Sequence, residues 1–291
     1  MKNSKISFIG TGKMANSLIL GLLNANYNPS NIWATNTSLE KINNLKKLKI
    51  NVSIDNRSAV NNASVVILAV KPKDLEKIVI EIADLISDKR PLVISIAAAI
   101  TLETLQNYLN DNSIPIIRCM PNTPASLNCG ASGLLANPNC SPKQKDMAES
   151  IFRSVGIVIW VNSDIEMDSV AALSGSGPAY FFLLIEALQN AGTELGLSKE
   201  TSAVLSLQTA LGAARMAIEN ADKVSVEQLR KNVTSPGGTT QAALEVLQQG
   251  HFSELIESAM AAAKQRAETL ANQSEKKRNN NDLPKTSLGP K

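Results

Sequence analysis

Lys5-Ile6-Ser7-Phe8-Ile9-Gly10-Thr11-Gly12-Lys13-Met14-Ala15 is the stretch that decides the fold. A short apolar run stops at a glycine, a second glycine follows two residues later, and a helical pattern begins at Lys13. In this spacing Gly10 permits a tight turn, Gly12 lets the backbone approach a pyrophosphate, and Ala15 allows close helix–strand packing. The helix N-terminus then presents oriented N–H donors to an anion. G-x-G-x-x-A directly after a first strand is thus the mark of a dinucleotide-binding βαβ unit. A Walker-type phosphate loop is excluded, because Gly12-Lys13 lacks the upstream glycine spacing and the following Ser or Thr.

Working outward, short apolar runs alternate with helical patterns as far as residue 161. Strands are expected at 5–9, 31–35, 51–54, 65–70, 92–97, 114–118, 133–136 and 157–161. Several are apolar on both faces, as parallel strands covered by helices are. Helices are expected at 13–26, 38–48, 73–86 and 142–154. This alternation predicts an α/β fold with a doubly wound sheet. Beyond Asp164 only helical patterns remain, at 166–195, 199–220, 226–232, 239–249 and 252–272. Their apolar residues spread round each helix, which predicts burial against a second subunit. The expected organisation is a dinucleotide-binding domain over 1–162, a helical dimerisation and substrate domain over 163–272, and a disordered tail over 273–291.

Composition removes whole classes of function. The 291 residues carry a formal net charge of +3, and the five basic against two acidic residues from Asn272 onward account for all of it. A neutral body with 3% aromatic residues does not read as a nucleic-acid binder. Three cysteines and one histidine offer neither a disulfide framework nor a metal site, so no metal is expected and a reducing cytoplasm is. The start MKNSKISFIG reaches Gly12-Lys13 too soon for a signal-peptide core, and no continuous apolar run reads as a membrane span.

Four further segments carry chemistry. The second strand ends in Thr35-Asn36-Thr37-Ser38, with no acid to hold a ribose 2′-hydroxyl. Its neutral donors would tolerate a 2′-phosphate, with Lys41 adding charge if it points inward, so NADPH is favoured and NADH stays possible. Ser38 also serves as an N-cap for the following helix. Ala69-Val70-Lys71-Pro72 and Arg118-Cys119-Met120-Pro121-Asn122-Thr123-Pro124 both leave strands at the carboxyl edge of the sheet, where open α/β folds bind ligands. Gly175 and Gly177 in the run from Ala172 to Tyr180 interrupt a helix, which points to a close approach to its backbone by a neighbouring helix or a ligand. Val233-Thr234-Ser235-Pro236-Gly237-Gly238-Thr239-Thr240 opens another helix with exposed N–H groups and two hydroxyls, a seat suited to a carboxylate.

GTGKMA, AVKP, SIAA, RCMPNTP, ALSGSGPAY and VTSPGGTT, in this order and spacing from about Lys5 to Ala271, resemble the pyrroline-5-carboxylate reductase family. The resemblance implies a Rossmann-type domain followed by a helical dimerisation domain. It also implies reduction of 1-pyrroline-5-carboxylate to L-proline by NAD(P)H, the final step of proline biosynthesis. A homodimer, or a ring of dimers, with the active site completed by two subunits would follow.

Carried over by position, Gly10, Thr11, Gly12, Lys13, Met14 and Ala15 would hold the pyrophosphate. Asn36, Thr37 and Ser38 would take the adenosine ribose or its phosphate. Asn56, Ala69, Val70, Lys71, Pro72 and Ala97 would line the cofactor, with Asn232 reaching it from the helical domain. Ser235, Gly237, Gly238, Thr239 and Thr240 would bind the substrate, with the Thr240 hydroxyl near the imine nitrogen as the catalytic contact. Asp164 stands where the family tends to have an acid near the substrate. Two departures are visible: Ala99 replaces a glycine usual in SIAAGI, and Cys129 stands where a Gly-Glu-Gly pattern is common. Related hydroxyacid and imine reductases use a Lys or Asp on the first long helix of the second domain, and residues 166–195 hold no lysine. His251 is expected in a helix connection, outside the chemistry.

Overall fold

The computed structural model describes residues 4–281, with side chains described to residue 273. Its strands are β1 (Ile6–Ile9), β2 (Ile32–Thr35), β3 (Asn51–Ser53), β4 (Val65–Leu68), β5 (Leu92–Ser95), β6 (Ile116–Met120), β7 (Gly130–Ala136) and β8 (Gly156–Trp160). They form one sheet in the order β3-β2-β1-β4-β5-β6-β7-β8. Helices α1 (Lys13–Asn24), α2 (Leu39–Lys46), α3 (Asn56–Val60), α4 (Pro72–Lys89), α5 (Leu102–Leu109) and α6 (Pro142–Arg153) connect or cover them.

All eight expected strands are present, most shorter by a residue or two at an end. Two short helices, α3 and α5, were not foreseen. All pairings are parallel except β6 with β7, which is antiparallel, with Arg118 opposite Leu135. That reversal departs from a fully parallel reading, and its cause is local. Only the short turn Thr123–Leu127 separates the two strands, and a parallel return needs a crossover helix.

The sheet is buried on both faces. One side packs Phe8, Leu18, Ile67 and Phe152, and the other packs Leu68, Leu75, Val79 and Leu105. Helix α4 shows how the pattern works: Leu75, Val79, Ile82 and Ile86 recur at helical spacing and are buried, while the charged residues between them face outward.

After β8 come α7 (Asp164–Val170), a π-turn (Ala171–Gly175), α8 (Gly177–Glu194), α9 (Lys199–Glu219), α10 (Val226–Asn232), α11 (Thr239–Gln249) and α12 (Phe252–Asn281). The expected single helix over 166–195 is therefore broken. At the break a Cβ on Gly175 would lie 2.6 Å from Met120 Cε, so a strand-end side chain makes the close approach, whereas Gly177 has open space.

The chain divides into two compact units. Among the described residues, one comprises those up to Ser176 together with those from Ala263 onward, and the other is Gly177–Ala262. The first extends past the expected boundary at 162 because α7 packs on β7 and the Arg118 guanidinium of β6 binds Asp164 and Asp168. The expected disordered tail is partly corrected: α12 continues to Asn281, while 282–291 lies outside the described residues.

The second unit is a set of helices with exposed apolar side chains, among them Phe181, Phe182 and Leu183 on α8 and Leu205, Leu207 and Leu211 on α9. The helical run Asp164–Glu194, through the π-turn, is long and apolar enough to cross a membrane by length and composition, contrary to the reading of the sequence. The continuous-run criterion missed it because small and polar residues such as Ser174 and Ser176 interrupt its apolar stretches.

Candidate active site

Strand order reverses direction at β1, whose neighbours β2 and β4 lead the chain to opposite sides, and a cleft opens at the carboxyl ends of these strands. It encloses about 540 Å³. Its floor is Gly10-Thr11-Gly12. Gly10 has φ +88°, and a Cβ there would sit 2.5 Å from Val70 Cγ1. Only glycine fits both conditions, so β1 turns sharply into α1 beside Ala69 and Val70. Gly12 caps α1 without any side-chain hydrogen bond and has open space where a Cβ would be. The first-turn N–H groups of α1 thus lack a protein side-chain acceptor, which is the arrangement a pyrophosphate requires.

The loop after β2 is held by its own polar groups. Asn36 Nδ2 donates to Thr11 Oγ1 at 2.7 Å, and the Ser38 amide donates to Asn36 Oδ1 at 2.9 Å. Thr35 Oγ1 donates to Asn56 Oδ1 at 2.7 Å and accepts from the Gly10 amide at 3.3 Å. These bonds lock the ends of β1, β2 and α3 together.

Of the residues expected to bind a cofactor, Gly10, Thr11, Gly12, Asn36, Thr37, Asn56, Ala69, Val70 and Lys71 line this cleft. Ser38 instead caps α2, its side chain accepting from the Lys41 amide. Met14 packs on the core, Ala15 is buried, and Ala97 belongs to the core on the other face. Lys13 and Pro72 begin α1 and α4 without lining the cleft. Lys41 lines it, as does a face of α4 that the sequence reading missed: Lys73, Asp74, Lys77, Ile78 and Glu81. The signal was available, since Lys73, Lys77 and Glu81 repeat at four-residue spacing on a helix that begins at the sheet edge.

Further along that edge Asn122 joins three segments. Its Oδ1 accepts from the Ala131 amide at 2.9 Å and its Nδ2 donates to the Ser174 carbonyl at 3.0 Å. Asp164, expected beside the substrate, is engaged in an ion pair with Arg118.

The helical unit carries the second candidate element. Gly237 adopts φ +69° and its amide donates to Gln241 Oε1 at 2.8 Å. Gly238 caps α11 without a side-chain acceptor. The N-terminus of α11 therefore faces solvent with Ser235, Thr239 and Thr240 exposed around it. Asn232, the last residue of α10, accepts from Gln228 Nε2 at 2.8 Å and is exposed. His251 also has φ +55°, and its Nδ1 lies 3.2 Å from Glu254 Oε1 in the α11–α12 connection. Among the described residues no group of His, Cys, Asp and Glu could hold a metal ion.

The chain is similar to known proteins along nearly its full length. A family model described as pyrroline-5-carboxylate reductase dimerisation matches residues 164–270, and one described as NADP oxidoreductase coenzyme F420-dependent matches residues 5–99. A pyrroline-5-carboxylate reductase of Pseudomonas aeruginosa is 43% identical over 94% of this chain and 99% of its own. The solved structure of a pyrroline-5-carboxylate reductase from Coxiella burnetii is 48% identical, covers 92% of this chain and 98% of its own, and superposes with a TM-score of 0.88. That of Plasmodium falciparum pyrroline carboxylate reductase with NADP bound is 31% identical, covers 93% and 99%, and has a TM-score of 0.82.

Proposed function

The chain belongs to the pyrroline-5-carboxylate reductase family, NAD(P)H-dependent oxidoreductases that reduce 1-pyrroline-5-carboxylate to L-proline, and we propose how its own residues divide that work. The uncapped α1 N-terminus above Gly12 is the observation that carries the proposal. It binds the pyrophosphate of NADPH through the amides of the first turn, with Gly10, Thr11, Ala69 and Val70 forming the floor. When bound, the nicotinamide supplies a hydride to the carbon of the C=N bond.

The remaining steps fall to the protein. The α11 N-terminus, through Ser235, Gly237, Gly238 and Thr239, seats the substrate carboxylate. The Thr240 hydroxyl oxygen accepts a hydrogen bond from the protonated imine nitrogen. A cyclic imine is basic enough to arrive protonated, so orientation rather than a strong general acid supplies the catalysis. Asn122 keeps the π-turn at Ser174 against the sheet edge. Asp164 acts indirectly in this scheme, as a partner of Arg118.

The helical unit forms a homodimer. Its support is the apolar exposure of α8 and α9, far more than a monomer leaves uncovered, within the segment matched by the dimerisation model. A partner's helices, not lipid, cover the apolar run Asp164–Glu194. Three unpaired cysteines favour a reducing cytoplasm, and the neutral body favours no nucleic acid.

The test is oxidation of NADPH, followed by its absorbance, with pyrroline-5-carboxylate as acceptor and NADH run alongside. Proline formation that is faster with NADPH is expected. A folded, NADPH-binding protein that leaves the imine unreduced would overturn the reading. Sedimentation in detergent-free buffer tests the dimer, and a monodisperse monomer would refute it.

A further inference from the structure

We infer that the choice of NADPH over NADH is made by lysines of α4 and α2, Lys73 and Lys77 on one wall of the cleft and Lys41 on the other, which bind the 2′-phosphate of the adenosine ribose. The inference rests on the cofactor reading above and adds the residues that discriminate.

It follows first by elimination. The side chains nearest the end of β2 are all neutral: the Asn36 amide is bonded at both ends, to Thr11 and to the Ser38 amide, Ser38 caps α2, and Thr37 brings only a hydroxyl to the cleft. The arginine that might read a phosphate, Arg57, is clamped elsewhere. Its Nη1 and Nη2 each donate to Asp84 at 2.6 Å, and Nη1 also donates to the Glu81 carbonyl at 2.7 Å. The cations that remain to face a phosphate are ammonium groups. Lys41, Lys71, Lys73 and Lys77 all line the cleft, and none forms an ion pair among the described residues. Asp74 and Glu81 are the acids on the same wall, and Glu81 faces the Asn56 amide at 3.4 Å.

The position of Lys73 supplies a second argument. It sits in the first turn of α4, directly after Pro72 at the helix start, where the helix dipole disfavours a cation. A lysine there, repeated one turn on at Lys77, is accounted for by an anion that both ammonium groups reach. Lysine binds phosphate as a point charge, without the fixed fork of arginine, so the discrimination is electrostatic and weakens with salt.

The experiment is calorimetric titration of the full-length protein with 2′,5′-ADP and with 5′-ADP, which differ only in the 2′-phosphate. The wild-type protein is expected to bind 2′,5′-ADP at least about ten-fold tighter, an advantage that shrinks as salt is raised. In the double variant Lys73→Ala/Lys77→Ala, and to a smaller extent in Lys41→Ala, that advantage falls to near parity, while 5′-ADP binding moves by less than about two-fold. The three lysines are exposed, so the variants fold, and circular dichroism confirms it. An undiminished advantage in the double variant, or a parallel loss for both nucleotides, overturns the inference and leaves the cofactor reading intact. Failure of the wild-type protein to bind either nucleotide overturns both. Nucleotide selectivity without reduction of the imine would instead strike at the proposed reaction alone.

Discussion

Arg118 Nη2 donates to Asp168 Oδ1 at 3.0 Å, and the two residues are only 2% and 6% exposed. This buried pair, extended by Asp164, joins β6 to the start of the helical segment. Its worth lies in what its loss would leave behind. Removing the guanidinium leaves the Asp168 carboxylate buried without its counter-charge, which costs more than the pair gains by forming. Arg118→Ala is expected to lower unfolding stability by about 3–5 kcal/mol, read from urea denaturation. Arg118→Met combined with Asp168→Leu should recover part of the loss, since the only carboxylate left without its partner, Asp164, is about one-third exposed and solvated.

Thr240→Ala should lower kcat/KM by roughly ten-fold or more, because a hydrogen bond strengthened in the transition state is worth about 1–3 kcal/mol. Thr240 is exposed at the start of α11, so folding should be unaffected. Steady-state kinetics indistinguishable from the wild-type protein would remove Thr240 from the chemistry.

Ala99 carries a φ of +58°, the left-handed region where a Cβ is crowded. Relief of that crowding by glycine is worth about 1–2 kcal/mol, against about 0.4–1 kcal/mol for the extra freedom glycine gives the unfolded chain. The first exceeds the second, so Ala99→Gly should raise Tm by a few degrees in calorimetry, and Ala99→Val should lower it.

Cysteine reactivity should separate the three thiols. Burial pushes the Cys119 thiol well above its ordinary range, and burial also raises Cys140, to about 11. A raised thiol pKa withholds the thiolate as pH rises toward it, so at pH near 8 neither supplies a nucleophile. Cys129 is exposed. A thiol-specific reagent should therefore label one site in the native protein, and Cys129→Ser should abolish the fast phase.

Much of this could be read from the residues alone, and the exceptions have physical causes. β4 and β5 announce themselves as Val- and Ile-rich runs apolar on both faces, and the turn at Gly10 follows from its spacing. The direction of β7 is not in its own residues; it depends on how little chain separates it from β6. The five-residue α3 is too short to show a helical period, and α5 covers barely two turns. At the cleft, the turn at Gly10 was legible because no other residue fits its φ of +88° and the close approach of Val70. The partners of Arg118 were not, since Asp164 and Asp168 lie 46 and 50 residues away in sequence. The lysines of α4 were overlooked because alternation of charge and apolarity on a surface helix looks the same whether the charged face meets water or a cleft.

The first unit takes its closing piece from the end of the chain, since the part of α12 from Ala263 onward belongs with the residues up to Ser176 and buries Ala271. On a ribosome moving at roughly 5–20 residues per second, the nucleotide-binding half emerges long before the segment that finishes it. It must wait through the synthesis of the whole helical insert for its last buried contact. A nascent chain stalled inside α9 would already hold all eight strands of the sheet and lack only the C-terminal segment that completes the unit.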